Sequence, residues 1–294
     1  MGLATRDKSL MDMTFWGVRG GLPIAGKNTL RYGGNTACIA LSFPDGQFFI
    51  FDAGTGIKIL GDHLEATTQG PIRARIFISH PHWDHINSLP FFRHLYKPDS
   101  EIEIYGPMQD DMSIRDIISA QMDTVFFPVN IEVFGPKVSF SSLDEQSVEF
   151  GDITVSTMQL SHKGVSIGYR INHGGKSFCY IIDNEMFLDE KMYGLPDYVD
   201  KLTAFIEGAD ALVADATYTD EEYASRVGWG HSCLSQIANL AHRAHVKTLY
   251  LFHHDPDQTD ADIDDKLKTV EEILHRKGSK TRAAAPAEGQ TLTV

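Results

Sequence analysis

Short apolar runs bounded by turn residues recur along the chain and predict a fold rich in β-strands. The run at 72–78 is apolar and β-branched, which is typical of a strand buried on both faces. Residues 36–43 and 47–52 form two further predicted strands, joined by a Pro-Asp-Gly turn that favours a tight hairpin. The same pattern predicts strands at 13–16, 101–105, 148–150, 153–160, 165–171, 177–182, 211–214 and 248–252.

Helical periodicity fills several of the intervals between these strands. The predicted helices lie at 57–64, 112–122, 202–208, 233–244 and 260–277. Ser232 stands where it would cap the fourth of them. We find neither a repeat nor a dividing linker, and we therefore expect a loose leader at 1–12 followed by a single domain at 13–294. Residues 106–147 are irregular and predict an elaboration that folds over the mouth of a site, whereas 281–289 resembles a polar, alanine-rich tail.

Composition narrows the range of partners. The 294 residues include 26 basic and 40 acidic side chains, and the net charge of −14 argues against a surface for extended nucleic acid. A small anionic substrate is compatible with this negative net charge, because bound metal cations dominate the electric field inside a metal site. No apolar run is long enough to span a membrane and the first residues lack a secretory apolar core, so the expected location is the cytoplasm.

The three cysteines do not suggest a structural site. Cys38, Cys179 and Cys233 are far apart and form no C-x-x-C pair. Neither a disulfide framework nor a cysteine zinc site is predicted, and we expect these residues to be small buried apolar groups.

A concentration of metal-ligand side chains directly follows the predicted strand at 72–78. The sequence of this segment is Ser-His-Pro-His-Trp-Asp-His. In extended geometry His80 and His82 share one side, while the following turn moves Asp84 and His85 elsewhere, so one motif can serve two metal ions. Imidazole and carboxylate suit zinc, manganese or iron. The alternative is a histidine-rich surface turn, which four ligand-type residues at this spacing disfavour.

Other ligand-type side chains also end predicted strands. His162, Asp183 and His253 each lie at the carboxyl end of a strand or in the turn after it, where His80 also lies. His254 is adjacent to His253, and the position relative to the strand favours His253 as the ligand. Residues at such ends converge at one edge of a sheet more readily than chance would provide.

Taken in order, these motifs resemble the metallo-β-lactamase superfamily. They are Phe-Asp-Ala-Gly-Thr-Gly at 51–56, His-x-His-x-Asp-His at 80–85, Leu-Ser-His at 160–162, Ile-Asp at 182–183 and Leu-Phe-His at 251–253. The resemblance covers most of the chain. It implies an α+β fold, a four-layer αββα sandwich, with a dinuclear metal site at one edge.

The resemblance also implies a role for each ligand. Two divalent metal ions are expected, with zinc the first choice and manganese or iron the alternatives. One ion would take His80, His82 and His162, the other would take Asp84, His85 and His253, and Asp183 would bridge them together with a water or hydroxide. Asp84 could accept a proton from that water, and Asp52 would support the site without binding metal.

His231 distinguishes between branches of the superfamily. Its Gly-His-Ser step, twenty-two positions before His253, resembles the phosphodiesterase branch with ribonuclease Z and the phosphoribosyl cyclic phosphodiesterases. The resemblance implies that His231 contacts the phosphate and protonates the leaving oxygen, with Asp215 orienting the imidazole. The alternative is a histidine near a helix cap with no catalytic role.

Glycine-rich loops near the amino terminus contain further candidates. Arg19, Arg31 and Asn35 lie among these glycines and could contact a phosphate, and the surrounding sequence resembles the start of the phosphodiesterase branch. The alternative is a hairpin with solvated arginines. In the elaboration, Phe126 and Phe127 could line a pocket, although a place in the core is the more usual fate of such aromatics.

The chain also departs from both relatives. It has no basic Gly/Pro-rich arm of the kind with which ribonuclease Z holds tRNA, and its scattered cysteines cannot form the structural zinc site of the phosphoribosyl enzymes. The natural substrate therefore cannot be transferred from either.

Three functions remain for comparison with the structure. The first is a dinuclear metal-dependent phosphodiesterase that cleaves a small diester, such as a cyclic nucleotide or a cyclic sugar phosphate. The alternative is a lactone or thioester hydrolase on the same metal core, and the third is a non-catalytic metal or ligand sensor. A homodimer is one option for the oligomeric state, which exposed apolar surface on 106–147 would favour.

Overall fold

Two seven-stranded sheets form the framework of the protein. The computed structural model describes residues 10–186 and 197–294. The first sheet contains β1 Asp12–Gly17, β2 Cys38–Ser42, β3 Phe48–Phe51, β4 Arg73–Phe77, β5 Glu101–Pro107, β6 Val138–Leu143 and β14 Thr291–Thr293. The second contains β7 Ser147–Phe150, β8 Ile153–Leu160, β9 Ser166–His173, β10 Lys176–Ile181, β11 Ala211–Asp215, β12 Thr248–Phe252 and β13 Arg282–Ala284.

Helices connect these strands and cover the sheets. They are α1 Gly56–Thr67, α2 Trp83–Ile86, α3 Ile114–Gln121, α4 Tyr198–Phe205, α5 Asp220–Tyr223, α6 Leu234–Arg243 and α7 Asp260–Arg276. Three short 3₁₀ turns lie at Leu89–Phe91, Arg93–Tyr96 and Ile131–Val133. No described helix combines the length and the apolar character required to cross a bilayer.

Three apolar clusters define the layers. The aromatic rings of Phe15, Phe51, Tyr169 and Phe252 lie in the cluster between the two sheets. A second cluster joins the outer face of the first sheet to α1 and α3, and a third joins the second sheet to α4, α6 and α7. The order is therefore helix, sheet, sheet, helix, which confirms the predicted αββα sandwich.

Strand direction explains where the site must lie. In the first sheet β3, β4, β5 and β6 are parallel neighbours. In the second sheet β10, β11 and β12 are parallel, and β8 has the same direction because it is two antiparallel steps from β10. The carboxyl ends of these strands therefore share one edge of each sheet, and the residues that follow them can meet.

Some chain segments differ from the sequence-based expectation. The elaboration at 106–147 is less irregular than expected, because Val138–Leu143 pairs with β5 as the edge strand of the first sheet. The expected tail contains β13, which pairs with β12. Both segments were missed because serine and alanine carry little of the apolar signal on which strand prediction rests.

The first and last described strands, β1 and β14, pair in the first sheet. Residues 1–9 of the predicted leader lie outside the described residues, whereas Met11 is fully buried and bonds through its backbone to Val294. Among the described residues, β1 begins at Asp12, one residue before the predicted strand. At α6 the cap is Cys233 rather than Ser232, because the Ser232 hydroxyl donates to the carbonyl of Asn184 instead.

Candidate metal centre

The turn from β4 into α2 presents four ligand-type side chains. His80 follows the strand, His82 occupies the N-cap of α2, and Asp84 and His85 lie in its single turn. His80, Asp84 and His85 are buried, whereas His82 is exposed. The centre is therefore open to solvent on the side of His82.

Three other strand ends bring the remaining candidates to this turn. His162 follows β8, Asp183 follows β10 and His253 follows β12. Asp183 and His253 have φ values of 49° and 56°, in the left-handed region that non-glycine residues rarely adopt. Such backbone conformations cluster at functional sites, where the surrounding structure holds them in place.

The ligand atoms form two groups that share one carboxylate. The first comprises His80, His82, His162 and Asp183, the second comprises Asp84, His85, Asp183 and His253, and within each group the atoms lie within 4.8 Å of one another. Asp183 Oδ2 lies 3.3 Å from His80 Nε2, and Asp183 Oδ1 lies 3.0 Å from His253 Nε2. The structure thus brings together all seven residues that the resemblance implied, with Asp183 between the two groups.

The donor atoms fit two divalent cations. The Nε2 atoms of His80 and His85 are buried and make no hydrogen bond among the described residues. A buried polar atom without a partner destabilises a fold, and a cation that accepts its lone pair removes that cost. Five imidazoles and two carboxylates suit zinc, manganese or iron.

The surroundings shift the pKa of most of these groups toward the protonation state that binds metal. Burial, reinforced by the charge of His85, lowers the pKa of His80 to about 4, and burial also lowers the pKa of His162 to about 4. Burial alone would raise the pKa of Asp183, but the neighbouring histidines outweigh it and hold that pKa well below its usual range. Neutral imidazole and ionised carboxylate are the forms that bind metal ions.

Hydrogen bonds on the far side of the ligands fix their orientation. Asp52 is fully buried, and its Oδ1 accepts from Ser79 N at 2.7 Å. Its Oδ2 accepts from Tyr180 Oη at 2.9 Å and lies 2.8 Å from His85 Nδ1. Because His85 Nδ1 is engaged by Asp52, its Nε2 is left for the metal. His162 Nδ1 is held in the same way, 2.9 Å from the carbonyl oxygen of Gly230.

Asp84 is held in place by two contacts of one carboxylate oxygen. Its Oδ2 accepts a hydrogen bond of 2.7 Å from the backbone of Gly21 and lies 3.1 Å from His253 Nε2. Burial would raise the pKa of this carboxyl, but His85 and His253 hold it well below its usual range. The ionised carboxylate is the form that binds a metal ion, and the role of Asp84 as a proton acceptor stays a prediction.

His231 lies against the metal ligands. Its Nδ1 is 2.7 Å from Asp215 Oδ2, and its ring centroid is 5.1 Å from that of His253 and 5.6 Å from that of His162. The His231 side chain is 16% exposed, whereas Asp215 is fully enclosed. Burial would lower the pKa of His231, but the Asp215 carboxylate outweighs it and raises that pKa above its ordinary value. The paired side chains can therefore store a proton next to the centre.

Glu185 is a buried residue of this region that the sequence did not single out. Its Oε1 accepts from Tyr223 Oη at 2.8 Å and from Gly228 N at 2.7 Å, and its Oε2 accepts from Gly230 N at 2.7 Å. The carboxylate thereby holds the loop whose Gly230 carbonyl orients His162. A lone glutamate after Asp183 matches no motif, and only its distant partners reveal its role.

Glycine is required where this loop meets the ligand. Gly230 has φ +93°, and a Cβ placed there would lie 2.3 Å from His162 Nδ1. Gly20 in the amino-terminal loop has the same function, since a Cβ there would lie 2.1 Å from His253 Cε1. The glycine-rich loops thus allow the backbone to approach the metal ligands closely.

Replacing Glu185 with glutamine should loosen the loop and slow the enzyme. One arm of an amide donates rather than accepts, so at least one buried N–H group loses its acceptor, at a cost of about 2 kcal/mol. We expect turnover to fall about tenfold with metal content retained, because loss of a group that orients a ligand typically costs about 10–100-fold. Metal analysis and steady-state kinetics check this, with Glu207→Gln on the exposed surface as control. Unchanged turnover would contradict the positioning role.

Each of the three candidate phosphate contacts has partners within the protein. Arg19 is fully buried, and its guanidinium donates to the carbonyl oxygens of Gly33, Asp255 and Gln258. Arg31 pairs with Asp264, and Asn35 bonds through its backbone and side-chain nitrogens to Glu288. These side chains tie the glycine-rich loops to other segments of the chain, and their contact with a phosphate stays a prediction.

Two ambiguous positions are clarified by burial. His254 is fully buried near Tyr32 and lies outside the metal groups, so the choice of His253 from its strand position agrees with the geometry. Phe127 packs against the helix-covered core of the first sheet, but Phe126 is 79% exposed. The expectation of a core aromatic is therefore wrong for Phe126.

Comparisons with known proteins agree with this geometry. The family described as the beta-lactamase superfamily domain matches residues 48–254. Ribonuclease Z of Brevibacillus brevis is 27% identical over 305 aligned positions, which cover 88% of this chain and 90% of that protein. Among solved structures, yeast PDE1 aligns with a TM-score of 0.72 and 13% identity, covering 97% of this chain and all of that one. A diphosphatase from the PhnP family aligns with a TM-score of 0.64 and 16% identity over 97% of both chains.

Proposed function

Because the chain belongs to the metallo-β-lactamase superfamily and is a metal-dependent hydrolase related to ribonuclease Z, we propose that its reaction is the hydrolysis of a small phosphodiester. The observation that carries the proposal is the pair of His231 and Asp215 beside the two groups of metal ligands. The names of the relatives, a ribonuclease and a diphosphatase, denote cleavage at phosphorus and support the same class.

The metal ligands, His231 and Asp215 have separate roles in this reaction. Two divalent ions held by the seven ligands would supply Lewis acidity and an activated water. Attack on phosphorus breaks the bond to the leaving oxygen, which departs as an alkoxide unless it receives a proton. His231 carries that proton, and Asp215 keeps the imidazole oriented and favours its protonated form.

Charge at the site also favours an anionic group. A protonated His231 adds positive charge at the edge of the centre, where the non-bridging oxygens of a phosphodiester would lie. The overall charge of −14 nevertheless disfavours a long polyanion, because such a ligand would meet acidic surface beyond the centre. A small diester satisfies both conditions, and a cyclic nucleotide or a cyclic sugar phosphate is of suitable size.

A substrate panel tests this function. Protein reconstituted with zinc or manganese would be assayed on bis(p-nitrophenyl) phosphate, on an unsubstituted lactone and on an acyl thioester at equal enzyme concentration. We expect kcat/KM for the diester to exceed that for the other two by about a hundredfold or more, because the positive charge at the centre matches the anionic diester. A higher kcat/KM for the lactone or the thioester would instead show that the protein is a lactone or thioester hydrolase. Failure on all three by protein shown to hold two metal equivalents would favour a sensor.

A further inference from the structure

An apolar pocket adjoins the metal-binding turn and has no part in the reaction described above. We propose that it binds a planar, nitrogen-bearing aromatic ring of the substrate, so that the diester is of the nucleotide class. The inference rests on the proposed phosphodiesterase function for its substrate, but the pocket can be tested separately.

The pocket lies between the segment around α2 and the helix α3. Its volume of about 660 Å³ is in the range of sites that enclose small organic ligands. The apolar side chains that line it include Pro81, Trp83, Ile86, Met112, Phe126 and Phe127. Gln121 Nε2 donates to Ile86 O at 2.7 Å and so joins α3 to α2 across the pocket. The pocket is therefore preformed.

The aromatic side chains of the pocket are unusually open. Trp83 is 83% exposed and Phe126 is 79% exposed, although residues of this size are normally buried for the most part. Both line the same pocket, so their faces are free to contact one bound group. Aromatic faces bind flat π-systems by stacking, and any nucleobase presents such a face.

The pocket is continuous with the metal centre along the chain. Pro81 and Trp83, both in its lining, are the immediate neighbours of the ligand His82. Consecutive Cα atoms are about 3.8 Å apart, so the lining begins one residue from the ligand set. A diester with phosphorus at the centre can therefore place a ring attached through its sugar in the pocket.

Polar atoms in the lining distinguish a base from an acyl chain. Asn87 and Gln121 line the pocket, and the side-chain oxygen of each is buried without a hydrogen-bond partner among the described residues. Gln109, by contrast, is satisfied on both sides by the backbone of Val165. A rotation of either amide toward the pocket would present its oxygen to an amino or ring N–H group on the edge of a base, whereas an aliphatic chain has no such donor.

A matched pair of adjacent exposed residues provides the kinetic test. Phe126 lines the pocket, and Val125 is 81% exposed but does not. The substrates are two five-membered cyclic diesters, adenosine cyclic phosphate with a base and glycerol cyclic phosphate without one. Phe126→Ala should lower kcat/KM for the adenosine substrate about tenfold, mainly through KM, because a stacking partner is lost. Phe126→Ala should leave kcat/KM for the glycerol substrate unchanged, and Val125→Ala should change kcat/KM for neither substrate. Equal effects of Phe126→Ala on both substrates would overturn the proposal.

A binding experiment separates this pocket from the reaction. Adenosine, which has no phosphate, would be titrated into the metal-loaded protein while the fluorescence of its tryptophans is followed. We expect quenching that is largely lost in Trp83→Phe and retained in Trp229→Phe. If no diester is hydrolysed but this quenching is found, the proposed reaction fails and the pocket assignment stands. If diesters are hydrolysed but adenosine does not quench, or an alkyl carboxylate competes equally well, the pocket assignment is wrong.

Discussion

Asp183→Ala is expected to lose both metal ions and to reduce phosphodiester turnover at least about a thousandfold, because catalysis in this class of site depends on the bound ions. Asp183 is the one residue common to the two groups of ligands, and its carboxylate is buried. Its oxygens lie 3.3 Å from His80 Nε2, 3.7 Å from His162 Nε2 and 3.0 Å from His253 Nε2. Removing it therefore affects both ions at once.

The same substitution also removes charge compensation. Burial would lower the pKa of His253, but the carboxylates, Asp183 foremost, raise it to about 10 in the absence of metal. Without Asp183 a buried imidazolium loses its main partner, and breaking a buried charge pair costs about 3–5 kcal/mol. The metal-free variant should therefore unfold at a lower temperature than the metal-free parent.

Metal analysis and thermal unfolding check these expectations. The variant should retain less than one equivalent of zinc after gel filtration, and added zinc should raise its melting temperature less than that of the parent. Asp257→Ala, a change on the exposed surface, serves as the control and should match the parent in both respects. Retention of two tightly bound equivalents by Asp183→Ala would show that the two ligand groups do not share this carboxylate.

His231→Ala is expected to lower turnover of an alkyl phosphodiester by about 10²–10⁴-fold while leaving metal content unchanged, the usual scale of general-acid catalysis. The imidazole is held 2.7 Å from Asp215 and stacks at 5.1 Å on the ring of His253. It lies outside the two ligand groups described above, although it forms a further cluster of ligand-type side chains with Asp183, Asp215 and His253. Its removal takes away the proton for the leaving oxygen.

The leaving group provides a sharper measurement than the rate alone. A p-nitrophenolate departs readily without a proton, whereas an alkoxide does not, so the loss should be clearly smaller for bis(p-nitrophenyl) phosphate than for an alkyl diester. Asp215→Asn should lower turnover less than His231→Ala does, because it only disturbs the orientation of His231. Its effect should again be larger for the alkyl diester than for bis(p-nitrophenyl) phosphate. His275→Ala, an exposed histidine on α7, is the control. An equal loss on both substrates would show that His231 holds the site together and does not donate a proton.

Local sequence was sufficient for the metal ligands and for the layered fold. Metal coordination by one short turn requires His80, His82, Asp84 and His85 at fixed spacing, so the motif is visible without the structure. The remaining ligands end apolar strands, and the direction of parallel strands carries them to the same edge. Periodicity predicted most of the strands and helices, because it records which face of an element is buried, whereas the layered sandwich was implied by the resemblance of the motifs to the superfamily.

Contacts between distant segments depended on the tertiary structure. Arg19 belongs to a loop that looks suited to phosphate, yet the fold buries its guanidinium among carbonyl oxygens from residues more than two hundred positions away. The contacts of Glu185 are visible only in the fold, because its partners lie in the loop before α6. The pocket at Trp83 and Phe126 likewise exists only because α3 packs beside α2. Periodicity and motif spacing report on neighbours along the chain, whereas these hydrogen bonds and open aromatic faces arise from packing of segments that are remote in sequence.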